Sequence, residues 1–184
     1  MSRHLRMKVL IWSMCLITLS LAGIAQEKPP AAVTPDARPA DVASIDAIVA
    51  AVYDAISGPA GQKRDWDRFR SLFIPGARLI PVTQVGDVRS ARVLSVDDYI
   101  MRSTPILEKG GFYEREIAKR TDRFGDIAQL FSTYESRRKA EDPTPFIRGI
   151  NSFQLMHDGK RWWIVTIFWE AEGPDRTLPA EYLK

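Results

Sequence analysis

An α+β fold is predicted by three features of the chain. Helical periodicity is confined to residues before Gly111, and long strand-like runs fill the remainder. Two of those runs, both rich in aromatics, flank Asp158-Gly159 within residues 146–172 (FIRGINSFQLMHDGKRWWIVTIFWEAE). Helices followed by a long antiparallel sheet can cover one face of that sheet. Asp-Gly between apolar runs is a strong hairpin signal, so residues 146–172 are expected to form the central hairpin.

The N-terminus carries an export signal. Arg3, Arg6 and Lys8 precede an apolar run over 9–21, and small residues lead to Ala25. This order of basic, apolar and small residues predicts cleavage after Ala25 and a periplasmic or secreted protein. Residues 26–41 contain Pro29, Pro30, Pro35 and Pro39 and read as a Pro/Ala-rich linker. The folded domain is then expected over 42–184. Removing the signal also changes the charge. The whole chain is +3 with a pI near 9.1, but its first 25 residues hold three basic and no acidic side chains. The remainder is formally neutral, which gives no electrostatic argument for nucleic acid or, after signal cleavage, for a membrane surface. Cys15, the one cysteine, lies inside the signal. A thiolate metal site or thiol nucleophile is therefore not expected, and no cofactor is implied.

The elements follow in order. Asp41 or Ser44 can cap a helix carrying Ile45, Ile48, Val49, Val52 and Ile56, which Gly58-Pro59 stops. A shorter helix carries Trp66, Phe69, Leu72 and Phe73 and ends before Pro75-Gly76. Strands over 77–82 and 91–94 are joined at Gly86-Asp87. Ser95 and Asp98 form a capping box for a third helix, which Pro105 bends or ends. Strands over 112–121 and 127–138 meet at Phe124-Gly125, and residues 141–145 lead into the hairpin.

A two-residue turn at Asp158-Gly159 pairs Asn151 with Thr166, Gly149 with Phe168, and Ile147 with Glu170 on one face. That face joins Phe153 and Leu155 to Ile164 and Trp162, so its Asn, Thr and Glu need internal partners or a ligand. The opposite face holds Arg148, Ile150, Trp163, Val165, Ile167 and Trp169. Its apolar content predicts a homodimer interface, with Arg148 over Trp169. A bulge would shift the register and exchange faces.

Segments DWDRFRSLFIPGARLIP at 65–81, GINSFQLMHDGKRWWIVTIFWEAE at 149–172 and LPAEYL at 178–183 resemble the nuclear transport factor 2-like (SnoaL-like) superfamily, particularly its small exported bacterial members. The resemblance covers the mature chain. It implies a cone-shaped barrel, three N-terminal helices on a strongly bent antiparallel sheet, with a cavity and frequent dimerisation through the sheet. It implies no single activity, because the fold hosts enzymes and binding modules alike.

The expected cavity is lined by Tyr53, Trp66, Tyr99, Asn151, Thr166, Phe168 and Glu170, and the expected occupant is a small apolar or amphipathic molecule. An alternative is a cofactor-free isomerase or lyase, with Glu170 as base and Tyr53 or Tyr99 as donor. A dimeric scaffold with a filled cavity is the third reading. Histidine chemistry is disfavoured because His157 flanks a turn, and Glu114 with Glu116 reads as surface charge. Intact-mass measurement on exported protein is expected to show loss of roughly 25 residues, an ordinary signal length. A full-length mass in the membrane fraction would contradict cleavage.

Overall fold

The structure is a computed structural model that describes residues 34–184. The expected signal peptide and the first part of the expected linker lie outside the described residues. Among the described residues there are four α-helices, α1 (Pro39–Val42), α2 (Ile45–Ile56), α3 (Trp66–Ser71) and α4 (Val96–Gly110), and a short 3₁₀ helix at Ala180–Tyr182. Six strands follow one another as β1 (Phe73–Val85), β2 (Val88–Ala91), β3 (Tyr113–Phe124), β4 (Ile127–Arg137), β5 (Ile147–His157) and β6 (Trp162–Ala171). They form one curled sheet in the order β2-β1-β6-β5-β4-β3. The sheet is mixed rather than wholly antiparallel, because β1 runs parallel to β6.

Local chemistry explains the helices. Ser44 caps α2 by accepting the Ala47 N–H at 3.0 Å, and the α2 stripe Ile48, Val49, Val52 and Ile56 is buried. α3 is capped by Asp65, which accepts the Arg68 N–H at 3.0 Å. Phe73 leaves this helix and starts β1. The Ser95–Asp98 capping box opens α4. This helix continues through Pro105 to Gly110, and Thr104 Oγ1 caps the carbonyl of Ile100 at 2.7 Å. The core between helices and sheet centres on Phe69, Leu72, Phe73, Phe153 and Ile164, each at most 1% exposed.

The β5–β6 hairpin differs from the expected register in two steps. Its loop has four residues, 158–161, and His157 pairs with Trp162. Asp158 Oδ1 accepts the N–H groups of Lys160 and Arg161 at 2.8 and 2.9 Å, which stabilises the longer loop. That slip of two residues preserves face membership. A second irregularity does not: Leu155 pairs with Ile164, whereas Gln154 pairs with Thr166, so Val165 is an unpaired bulge residue. Beyond Val165 every side chain of β6 exchanges faces. Ile167 and Trp169, expected at a dimer interface, point to the core side, where Ile167 is 4% exposed and Trp169 packs against the core cluster. Thr166, Phe168 and Glu170, expected in the cavity, lie on the outer face with Ile150 and Ser152. Phe168 is 45% exposed, and Glu170 pairs with Arg176 at 3.0 Å. Arg148 is held by Glu172 at 2.8 Å rather than lying over Trp169. Trp163 bonds Asp158 through its indole N–H at 2.7 Å.

Arg64 ties the helical layer together. It is 6% exposed, and its guanidinium donates to the carbonyls of Ile56 (2.9 Å), Gly58 (2.7 Å), Gln62 (2.6 Å) and Leu107 (2.8 Å). These carbonyls belong to the end of α2, the loop that follows, and the last turn of α4. A planar fork satisfies several acceptors that an ammonium cannot reach together. Arg64→Lys is therefore expected to cost about 2–3 kcal/mol in urea denaturation, because buried carbonyls lose their donors. A loss below about 0.5 kcal/mol, the scale of a neutral surface change, would show that the fork is dispensable.

Candidate functional site

The site grows from the inner ends of α2, β3, β4 and β5. Along β4 one face reads Ala128, Leu130, Ser132, Tyr134, Ser136, all buried. It passes from apolar to hydroxylated toward the strand's end. β3 lies antiparallel to it, with Glu114 opposite Ser136 and Glu116 opposite Tyr134. A bulge between Glu116 and Ala118 adjusts the register just beyond. Both carboxylates thus turn inward from the sheet's edge strand.

Glu114 is the centre of the arrangement. Ser136 Oγ donates to its carboxylate at 2.8 Å, and Asn151 Nδ2 approaches at 3.4 Å. Its backbone N–H donates to Ser57 Oγ at 3.0 Å, fastening β3 to the end of α2. No arginine or lysine pairs with this carboxylate among the described residues. Burial pushes its pKa up to about 7, against the opposing hydrogen bonds from Ser136 and Asn151.

A hydrogen-bonded chain runs beside it. Asn151 Nδ2 donates to the Tyr53 hydroxyl at 3.1 Å. Tyr53 and Ser132 hydroxyls are 2.6 Å apart, and Ser132 donates to Glu116 at 2.5 Å. With Ser132 committed to Glu116, the proton order is Asn151 to Tyr53 to Ser132 to Glu116, which leaves each member satisfied. Burial raises the Tyr53 phenol pKa, and the nearby Glu114 charge adds to this.

A cavity of about 70 Å³ lies against Glu114, with Tyr99, Tyr134, Asn151, Phe153 and Trp169 in its walls. Tyr99 stacks on Phe69 at 5.4 Å and meets Trp169 edge-on at 6.0 Å. Tyr134 is 4% exposed, and its hydroxyl has no hydrogen-bond partner in the protein among the described residues. A Cβ on Gly149 would stand 2.4 Å from the Glu170 carbonyl oxygen and 2.6 Å from that hydroxyl, so the close approach of the β6 backbone requires glycine here. Burial and then the Glu114 charge raise the pKa of both Tyr99 and Tyr134. Glu114 also lines a larger open cleft of about 830 Å³ between α2 and β3, together with Tyr53, Ser57, Glu116 and Lys119.

The structure therefore brings together Tyr53, Tyr99 and Asn151 of the residues expected from sequence. It does not bring Thr166, Phe168 or Glu170 to them. Trp66 packs edge-on against Phe69 at 5.7 Å and does not line the cavity. Glu114 was hidden by its neighbours, because Arg115 and Lys119 make its strand look solvated. The signal that could have found it is the alternation of Ser132, Tyr134 and Ser136, which marks a polar end to the inner face. Among the described residues no cluster of three or more His, Cys, Asp or Glu could hold a metal ion.

No family model matches the chain, and no curated protein matches it. Solved structures do. A protein of unknown function with a cystatin-like fold from Nostoc punctiforme aligns at a TM-score of 0.53 and 13% identity, over 71% of this chain and 90% of that one. A protein from Xanthomonas campestris, provisionally named as a calcium/calmodulin dependent protein kinase II association domain, aligns at 0.51 and 13%, over 71% and 86%. These likenesses are of fold alone. The fold, a few helices packed on a mixed, curled six-stranded sheet, is nuclear transport factor 2-like. An NTF2-like protein of unknown function from Methylobacillus flagellatus aligns at 0.45 and 16%, over 71% and 95%. In this domain the cavity lies between helices and sheet.

The raised pKa of Glu114 has a thermodynamic consequence. Unfolded, the carboxyl releases its proton near pH 4.5; folded, it retains it to about pH 7. Its contribution is therefore most favourable below pH 4.5 and declines as pH rises to about 7, with a total on the order of 3 kcal/mol. Glu114→Gln is expected to remove this decline, matching the parent near pH 4 and exceeding it at pH 8 in chemical denaturation. Parallel pH profiles for the two proteins would place the carboxylate in solvent.

Proposed function

We propose that this protein is an exported binder of a small, largely apolar molecule whose polar end is received at Glu114. The observation that carries the reading is an aromatic-walled cavity against a half-buried carboxylate that has no cationic partner among the described residues. At about 70 Å³ the cavity falls below the usual range for drug-sized ligands, so the part held there has only a few non-hydrogen atoms. The 830 Å³ cleft on the other side of Glu114 has room for more.

A second reading is a cofactor-free isomerase or lyase. It passes from Glu170 to Glu114, because Glu170 lies on the outer face with Arg176. A carboxyl with a pKa of about 7 is poised as a general base near neutral pH, and Tyr134 supplies a free phenolic donor.

Thermal-shift screening of small amphipathic molecules tests the binding reading. A ligand is expected to raise Tm in the parent and to bind roughly ten-fold more weakly to Tyr134→Phe, the scale of one lost hydrogen bond. If ligands bind Tyr134→Phe and Glu114→Gln as they bind the parent, the site lies elsewhere. Deuterium incorporation into a bound carbonyl compound tests the enzyme reading. Glu114→Gln should lower any such exchange by at least about a hundred-fold.

A further inference from the structure

The carboxylates around the cleft are, with two exceptions, already neutralised. Asp46 and Glu116 share Lys119, the latter at 3.5 Å. Asp54 pairs with Arg68. Glu135 holds Arg115 at 2.5 Å and also Arg137. Asp142 has no cation, but it accepts the backbone N–H groups of Arg138 and Lys139 at 3.2 and 2.9 Å. Glu114 is half-buried, has no positive charge paired with it among the described residues, and meets Tyr99, Tyr134, Phe153 and Trp169 in the cavity wall.

A half-buried carboxylate without a counter-charge is partly desolvated at a cost, and a cation that fits beside it offsets that cost. Aromatic faces attract cations through their quadrupole, most strongly where water is excluded. Donors already meet part of the carboxylate, from Ser136 and Asn151, and both are neutral. An anionic ligand would face Glu114 with no cation to offset it. A neutral one would leave the carboxylate's charge uncompensated.

We propose that the cavity binds a small organic ammonium ion, with its charge set against Glu114 and its alkyl groups against the aromatic wall. The inference rests on the binding reading above and names the ligand class for the same site. The groups facing Glu114 on the cavity side are Tyr53 from α2, Tyr99 from α4, Tyr134 and Ser136 from β4, Asn151 from β5 and Trp169 from β6, and on the cleft side Asp46 and Asp54 from α2, Arg115 and Lys119 from β3, Arg137 from β4 and Asp142 beyond it. Glu116 lies on its own strand, bonded to Ser132 and Lys119. The three phenols all have raised pKa values and stay neutral below pH 10. Between pH 5.5 and 8.5, Glu114 is the facing group that changes charge. Ammonium binding favours its ionised form, so each binding event below pH 7 releases a proton.

Calorimetry on the purified protein with methylammonium, trimethylammonium and choline tests this, beside the uncharged 3,3-dimethyl-1-butanol and the anion 3,3-dimethylbutanoate. At pH 8.5 at least one ammonium is expected to bind ten-fold or more tightly than either control. Its affinity should fall roughly thirty-fold at pH 5.5, as expected for a carboxylate titrating near pH 7. Glu114→Gln should remove both the preference and the pH dependence; if that variant misfolds, the parent's pH profile and proton release decide. Equal or tighter binding of the alcohol or the anion, weakened by Tyr134→Phe, overturns the ammonium assignment while leaving the binding reading standing. No binding of any ammonium at 10 mM-scale concentrations, about the limit for a weak specific site, also overturns it. Failure of the binding reading is separate: no ligand from the thermal-shift screen would depend on Tyr134 or Glu114.

Discussion

One unpaired residue, Val165, decides which side chains of β6 face the helices. Because strand side chains alternate with a period of two, a single inserted residue exchanges every later position between faces. Before the bulge Trp162 and Ile164 point inward, and after it Ile167 and Trp169 do. β1 is irregular at the same level, passing from the Phe73–Ile164 pair to the Arg78–Thr166 pair. Gly76, at φ 82°, lies in the extra loop of chain that results. The two irregularities bend the sheet together, and the bend brings Trp169 against Tyr99 over the cavity. A straight β6 would instead aim Glu170 and Phe168 at the helices and leave Trp169 outside.

This is also where legibility in the sequence stops. Helix starts were readable because caps and stripes are local: Ser44 and the Ser95–Asp98 box both do what their chemistry dictates. The hairpin was readable from Asp158-Gly159, and so were the faces up to Ile164. The bulge was not, since Val165 is an ordinary strand residue and the cause of its displacement is a neighbouring strand nearly ninety residues earlier in the chain. The parallel pairing of β1 with β6 was missed for the same reason. Pairing between elements distant in sequence leaves no mark on either one.

The site shows the same division. Tyr53, Tyr99 and Asn151 were expected on chemical grounds and do converge, while Glu170 was placed by a register that the bulge overturns. Glu114 was read as surface charge because its strand alternates with Arg115, Lys119 and Arg120. Yet an edge strand can turn one face to water and the other to an enclosed space. Which face Glu114 takes is fixed by its partner, Ser136, and by the bulge near Ile117. The hydroxyls of β4 were the visible half of that pair.

The half-buried carboxylate works against the fold at neutral pH. A glutamine at 114 could accept from Ser136 without carrying charge, and the Asn151–Tyr53–Ser132–Glu116 chain would close without it. That chain already satisfies the buried polar groups between α2 and the sheet, so structural need ends at Tyr53. Polar groups kept where packing would do without them, beside an unpartnered phenol and an aromatic wall, are the pattern expected of a site rather than of a core.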